Sequence, residues 1–318
     1  MPSADSISTA IPYLALALGL LCATGGGELF VRGTVGIACA ARVAPSIIAA
    51  TVAAFATSSP ELTVAIQSAL AREPEISLGD ALGSNVANLA LIFGVALLFG
   101  PLAIIRAQVT RNFAVAVAAP VALSVMLIDG SLSRLDAAIL LGGFALWFVR
   151  VTREALEERR LAPALQETSS GFMRAFVETS IGLGLLIAAG SLIVFGASEI
   201  ARRFGLSDFI VGATLVAVGT STPELATALM ARIRRQDDVG FGALLGSNIF
   251  NGLFIIGVAS AIAPIQTSEL EAAPALIAGL IALALVYPPR SGVYRPWRGV
   301  ALLAVYAGYL AAVIAFGR

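Results

Sequence analysis

The sequence predicts an all-α membrane protein of ten transmembrane helices arranged as two inverted five-helix repeats. Three observations predict it. Of 318 residues, 58% are hydrophobic and only 13% charged, with a mean hydropathy of +0.92, whereas a soluble domain carries about 25% charged residues. The apolar residues fall in runs of roughly 18 or more, the length that crosses a bilayer core. Finally, the chain repeats at a constant offset of 163 residues: 46–70 lies over 209–233 with ten of 25 positions identical, and 77–95 over 240–258 with nine of 19. The shared residues are mostly polar, Gly or Pro, which apolar composition alone does not produce.

In chain order the runs place spans near 10–31, 46–71, 77–99, 110–128 and 136–152, then 175–200, 208–232, 239–263, 270–287 and 299–316. Only Asp5 carries charge before the first span and nothing basic precedes it, so it does not read as a signal peptide. The second and seventh spans hold T-S-x-P-E in mid-membrane. The third and eighth hold G-S-N-x-x-N, and glycines 79, 83, 94, 242, 246 and 257 there read as close-packing positions. The stretch 150–174 mixes both charge signs and ends near Ser-Ser-Gly, so it reads as a solvated connector, helical at its start. It lacks the clustered acids of a calcium-binding loop. The expected units are a first repeat at 1–153, a connector at 154–173 and a second repeat at 174–318. Five spans per unit is an odd number, so the second copy enters the membrane from the opposite side. Inverted repeats place transport sites near the midplane, where discontinuous helices meet.

All twenty basic residues are Arg. With the N-terminus outside, only Arg72, Arg134, Arg202, Arg203 and Arg318 face out and the other fifteen face in. The positive-inside rule then puts both termini outside a cell inner (plasma) membrane. The formal net charge is zero, which gives a nucleic-acid partner no support. Cys22 and Cys39 read as small packing residues, and the absence of His removes the commonest transition-metal ligand and near-neutral proton carrier. No nucleophile–base pair points to an enzyme, and neither a cofactor nor an obligatory protein partner beyond the lipid bilayer is indicated.

A carboxylate at bilayer depth is costly and normally faces the bundle interior with a partner or a pathway role. Glu61 and Glu224 sit at that depth, and a pseudo-twofold axis brings them together. Two bare carboxylates in a dry interior repel, and a cation between them resolves the conflict. Thr57 and Ser58 precede Glu61 by four and three residues, so all three share a helical face, as do Thr220, Ser221 and Glu224. Pro60 and Pro223 should break their helices and release carbonyls around Ala54 to Ala56 and Ala217 to Gly219. Ser84 and Asn88 stand at i, i+4, as do Ser247 and Asn251. Carboxylate, amide and hydroxyl oxygens can fill the six to eight positions of a Ca²⁺ shell at about 2.3–2.6 Å. Asn85 and Asn248 read as structural hydrogen-bonding residues. Asp80 aligns with Ala243 and reads as solvated near the outer end of its span, and Glu28 has no site geometry derivable from sequence.

With both motifs duplicated in this order, the chain resembles the cation/calcium exchanger superfamily, in its prokaryotic sodium/calcium exchanger branch, over nearly its whole length. The resemblance implies a site of Glu61, Thr57, Ser58, Ser84 and Asn88 with the Ala54 carbonyl, and of Glu224, Thr220, Ser221, Ser247 and Asn251 with the Ala217 carbonyl. It also implies that the first and sixth spans slide across the other eight. Three departures stand out: Asn251 where many members carry Asp, Ala56 for a usual Gly, and Asp80 and Ala243 for a common Asn. Two carboxylates balance one Ca²⁺ or two Na⁺. The expected function is a secondary antiporter exchanging Ca²⁺ for Na⁺. A proton-coupled or broad-specificity cation exchanger and a cation channel are the alternatives.

Overall fold

The structure is a computed structural model that describes residues 4–70, 72, 74–161, 169–203, 221–267 and 269–316. It is helical throughout except for four two-residue strands. Helix α1 (Ala4–Ala41) outruns the expected 10–31 because nothing in 32–41 stops it, and the chain turns only at Arg42, whose φ is 57°. Helix α2 (Pro45–Ile48) passes through a π turn at Ala49–Ala53 into α3 (Ala54–Thr57). Ser58 leaves helical geometry (φ −85°, ψ 13°), and α4 (Ser59–Leu70) starts anew. Helix α5 (Pro74–Val86), a π turn at Ala87–Ile92 and α6 (Phe93–Leu98) form one membrane-length rod. Strand β1 (Leu102–Ala103), α7 (Arg106–Met126), β2 (Ser131–Leu132) and α8 (Arg134–Leu161) follow.

Beyond the connector comes α9 (Ser169–Arg203), and the described chain resumes at Ser221 with α10 (Thr222–Ile233). Next are α11 (Asp237–Ile249), a π turn at Phe250–Ile255 and α12 (Ile256–Ile262). Strand β3 (Ile265–Gln266), α13 (Glu269–Leu285), β4 (Val293–Tyr294) and α14 (Pro296–Phe316) complete it. Among the described residues seven helices are long and apolar enough to cross a membrane, and Ala272–Leu285 is a shorter apolar helix.

The sequence offset reappears in the backbone. Helix α4 matches α10, α5 matches α11, and the π turns at Ala87 and Phe250 match, all with both ends at 163 residues. Arg72 and Arg235, also 163 apart, both take positive φ in the turns between those helix pairs. The strands pair crosswise and antiparallel, β1 with β4 and β2 with β3, so each half is clipped to the other.

Small residues permit the tightest approaches. Helices α1 and α9 pack along their length, and a methyl at Gly33 would overlap Thr179 while one at Gly182 would overlap the Phe30 backbone. Helix α11 crosses the α2–α3 segment where Gly246 meets the Ala50 carbonyl, leaving no room for a Cβ. The large side chains of the core, including Phe93, Phe241, Leu89, Leu244 and Tyr294, surround these crossings. In a bilayer such van der Waals packing, rather than exclusion of water, drives helix association.

Candidate cation-binding site

The two T-S-x-P-E motifs occupy helix breaks. Pro60 lacks the N–H that would serve the Ala56 carbonyl one turn back, and the Ser59 hydroxyl donates to that carbonyl instead, at 2.7 Å. The Ala54 carbonyl accepts the Ser58 amide at 3.0 Å and the Thr57 hydroxyl at 3.3 Å. Ser221, the counterpart of Ser58, leaves helical geometry in the same way (φ −82°, ψ 8°). Each glutamate consequently stands in the first turn of a new helix, Glu61 in α4 and Glu224 in α10. That positive end of the helix dipole favours an ionised carboxylate.

Both glutamates are almost wholly enclosed, Glu61 at 1% and Glu224 at 2% exposure. The Ser58 hydroxyl donates to Glu224 Oε1 at 3.0 Å, and the Ser247 hydroxyl reaches the same oxygen at 3.4 Å. Ser221 donates to Ser84 Oγ at 3.4 Å. Five of the expected ligands from the two halves thus interlock through hydrogen bonds, Ser58, Glu224 and Ser247 in one group and Ser84 with Ser221 in another. The sequence placed Ser58 on the face of Glu61, but the helix stops there and the hydroxyl crosses to the acid of the other half.

The G-S-N-x-x-N motifs cross in the same manner. The Asn85 amide donates to the Asn248 carbonyl at 3.3 Å, and the Asn248 amide donates to the Asn85 carbonyl at 3.0 Å. This reciprocal pair joins the halves back to back. Asn88 donates to Asn248 Oδ1 at 3.1 Å, so Asn248 also orients a candidate ligand. Asn88 and Asn251 each sit in a π turn, a one-residue expansion frequent at functional sites. Helix α4, with Glu61, packs on the turn of Asn251, and α10, with Glu224, packs on the turn of Asn88.

The buried acceptors left open are the informative feature. Among the described residues, Glu61 Oε2, Glu224 Oε2, Asn88 Oδ1 and Asn251 Oδ1 are enclosed without a hydrogen-bond partner. An enclosed oxygen without a donor carries a desolvation cost of about 1–3 kcal/mol, and more if charged. Coordination to a hard cation is one way for buried oxygens of this kind to be satisfied. No group of three Asp, Glu, His or Cys side chains that could hold a metal exists among the described residues, so such an ion takes two carboxylates with neutral oxygens. Thr57, Ser58, Ser84, Ser221 and Ser247 are enclosed around them. Thr220 and the Ala217 carbonyl lie outside the described residues.

The sequence reading missed two sets of ion pairs and one buried hydroxyl. Glu28 of α1 forms a bidentate ion pair with Arg234, at the turn after α10, with Arg234 Nε to Glu28 Oε2 at 2.7 Å. Glu178 of α9 takes Arg32 of α1 at 3.0 Å and Arg174 at 2.9 Å, tying the two helices together. Thr227, one turn beyond Glu224, is buried with an unpartnered hydroxyl. Only the last carried a sequence signal, its i+3 spacing from the glutamate.

Comparison with known proteins places this geometry in context. A family model described as sodium/calcium exchanger protein matches residues 11–153 and 175–315. The inner membrane protein YrbG of Escherichia coli is 33% identical over 232 residues, 70% of this chain and 71% of its own. The sodium/calcium exchanger MaX1 of Methanosarcina acetivorans is 24% identical over 342 residues, covering 94% of this chain and 97% of its own. A structure of the sodium-calcium exchanger NCX_Mj, soaked with Na⁺ and Sr²⁺, superposes with a TM-score of 0.82 at 28% identity, over 95% of this chain and 98% of that one.

Proposed function

The chain belongs to the sodium/calcium exchanger protein family, and on that footing we propose that it exchanges Ca²⁺ for Na⁺ by alternating access at one buried midplane site. The protein is a multi-pass membrane antiporter and not an enzyme. The observation that carries the site assignment is the pair of enclosed glutamates at matching positions with unpartnered oxygens turned inward. Its ligands are Glu61, Thr57, Ser58, Ser84 and Asn88 with the Ala54 carbonyl, and Glu224, Ser221, Ser247 and Asn251. Thr220 and the Ala217 carbonyl join them by their correspondence to Thr57 and Ala54.

The mechanism follows from charge. Empty, the site holds two carboxylates that repel, and moving them unbalanced through the low-dielectric interior is costly. One Ca²⁺ or two Na⁺ neutralises them and permits the transition between inward and outward access. Either ion set can carry the site across but the bare site cannot, and this difference couples the two flows. No cofactor takes part, and Ca²⁺ and Na⁺ are the cargo.

The architecture is ten transmembrane helices in two inverted five-helix repeats, 1–153 and 174–318, joined by the connector 154–173. The backbone coincidences at 163 residues, the crosswise strands and the two stretches matched by the family model support this division. The broken spans α2–α4 and the segment ending in α10 supply the two that the seven long helices and Ala272–Leu285 leave uncounted. The distribution of Arg puts the protein in the cell inner membrane with both termini outside.

The test is radiolabelled Ca²⁺ uptake into proteoliposomes against an outward Na⁺ gradient. Uptake driven by that gradient is expected, and it should fall on the order of 100-fold in Glu61→Gln and in Glu224→Gln, the loss of one buried charge partner. Uptake indifferent to Na⁺ overturns the coupling. Uptake preserved in both variants overturns the site.

A further inference from the structure

Asp80 is an acid for which the paired-glutamate site has no use. It stands on α5, four residues before Ser84 and eight before Asn88, at the flank of the helix face that carries both. Six residues of helix, about 9 Å, separate it from the start of the Pro74–Leu98 span, so it lies within the membrane. It is half-buried, and among the described residues nothing hydrogen-bonds to it or pairs with it. Beside it, Gly79 borders open space. An acid at this depth does not face lipid, and it normally lines a water-filled approach or the bundle interior. One turn farther along the same helix stands Ser84, so that approach leads toward the paired-glutamate site.

Ser77 supplies an independent sign of a ligand. Helical hydroxyls in this chain ordinarily donate to the carbonyl one turn back, as Thr51, Thr63, Thr179 and Ser260 do. Ser77 makes no such bond. It is fully buried and its oxygen has no partner among the described residues. Its three-residue spacing from Asp80 and seven from Ser84 set it on the same side of the helix as both, about two turns before Ser84. The matching residues of the other half are Gly240 and Ala243, which offer no oxygen side chain.

We propose that Asp80 and Ser77 form a recruiting station for hydrated cations, divalent ones above all, on the approach to Glu61 from the Arg72 side of the membrane only. The station concentrates cations one to two helical turns before Ser84 and hands them on to Ser84 and Glu61. The opposite approach, lined by Ala243, lacks it. The two entrances of the exchanger therefore differ in apparent affinity although the central site is pseudo-symmetric. This rests on the paired-glutamate reading.

Two measurements test it. In oriented vesicles, Asp80→Asn is expected to raise the half-saturating Ca²⁺ on the Arg72 side by roughly three- to tenfold at low ionic strength, the effect of one solvent-screened charge. The maximal rate should hold, the difference should shrink in concentrated choline chloride, and the opposite side should not change. A fall in maximal rate without change in half-saturation, or an equal change on both sides, overturns the proposal. Separately, Tb³⁺ binding is measured on purified protein carrying Glu61→Gln with Glu224→Gln. Residual weak binding, lost on adding Asp80→Asn or Ser77→Ala, supports the station, and no residual binding overturns it. If that double variant still exchanges Ca²⁺ for Na⁺, the paired-glutamate reading has failed instead.

Discussion

At the scale of single residues the site is a problem of unmet valence. Two carboxylate oxygens and two amide oxygens are buried with no donor among the described residues, and the hydroxyls of Ser58 and Ser247 are already committed to Glu224. Asn251 is the residue whose identity weighs most on ion coupling. Its side chain is fully enclosed with neither polar atom partnered, so an Asp in its place adds a full negative charge without breaking an existing bond. Asn251→Asp should therefore steepen the dependence of Ca²⁺ release on external Na⁺, because a third carboxylate calls for a third monovalent charge. An unchanged Na⁺ dependence beside wild type would remove Asn251 from the ion shell. Glu61 and Glu224 were legible in the sequence because duplicated acids inside apolar runs have few structural explanations. The crossing of Ser58 to Glu224 was not, since helical spacing describes only residues whose helix continues, and this one stops at Ser58.

At the scale of elements, the crossing helices are held at a separation that only glycine tolerates. A methyl at Gly246 would run into the Ala50 carbonyl, and both belong to backbone that cannot move aside. Gly246→Ala should push α11 off the α2–α3 break, lowering the melting temperature and Ca²⁺ exchange together. Gly79→Ala, where a methyl meets open space, should leave both intact. Equal behaviour of the two variants would count against packing as the cause. The reciprocal Asn85–Asn248 bonds work differently. Asn85→Ala and Asn248→Ala should each cost about 0.6–1.7 kcal/mol in stability, the scale of interhelical hydrogen bonds in membranes, and because each amide donates to the other's main-chain carbonyl the two losses should add. The sequence assigned these asparagines to structure from their type, while their mutual pairing needed both helices in place.

At the scale of the whole molecule, two halves of one design are joined by contacts that do not all repeat. The strands and asparagines cross in matched pairs, but the Glu28–Arg234 ion pair has no counterpart, since Ser191 and Ala71 occupy the equivalent positions. It fastens α1 to the turn after α10. Glu28→Arg and Arg234→Glu singly should each slow exchange, and the combined charge reversal should restore it, an outcome that simple misfolding at either site would not give. Orientation is a further property of the whole chain. Reporter fusions at the two ends should both read as outside the cytoplasm, and a cytoplasmic signal from either would reverse the assignment made from Arg.

The sequence by itself determined the membrane setting, the duplication and the two glutamates, because each is written locally: in runs of apolar residues, in a constant offset, and in a charge where none is cheap. Even the bounds of α5 and α11 follow that offset. Tertiary structure alone decided how the halves engage. Which hydroxyl serves which carboxylate, which asparagine meets which, and which buried oxygens are left for an ion depend on residues about 140–170 positions apart meeting across helix breaks. Periodicity describes one helix at a time, whereas a cation shell is assembled from several, so candidate ligands can be named from the sequence but their connectivity cannot.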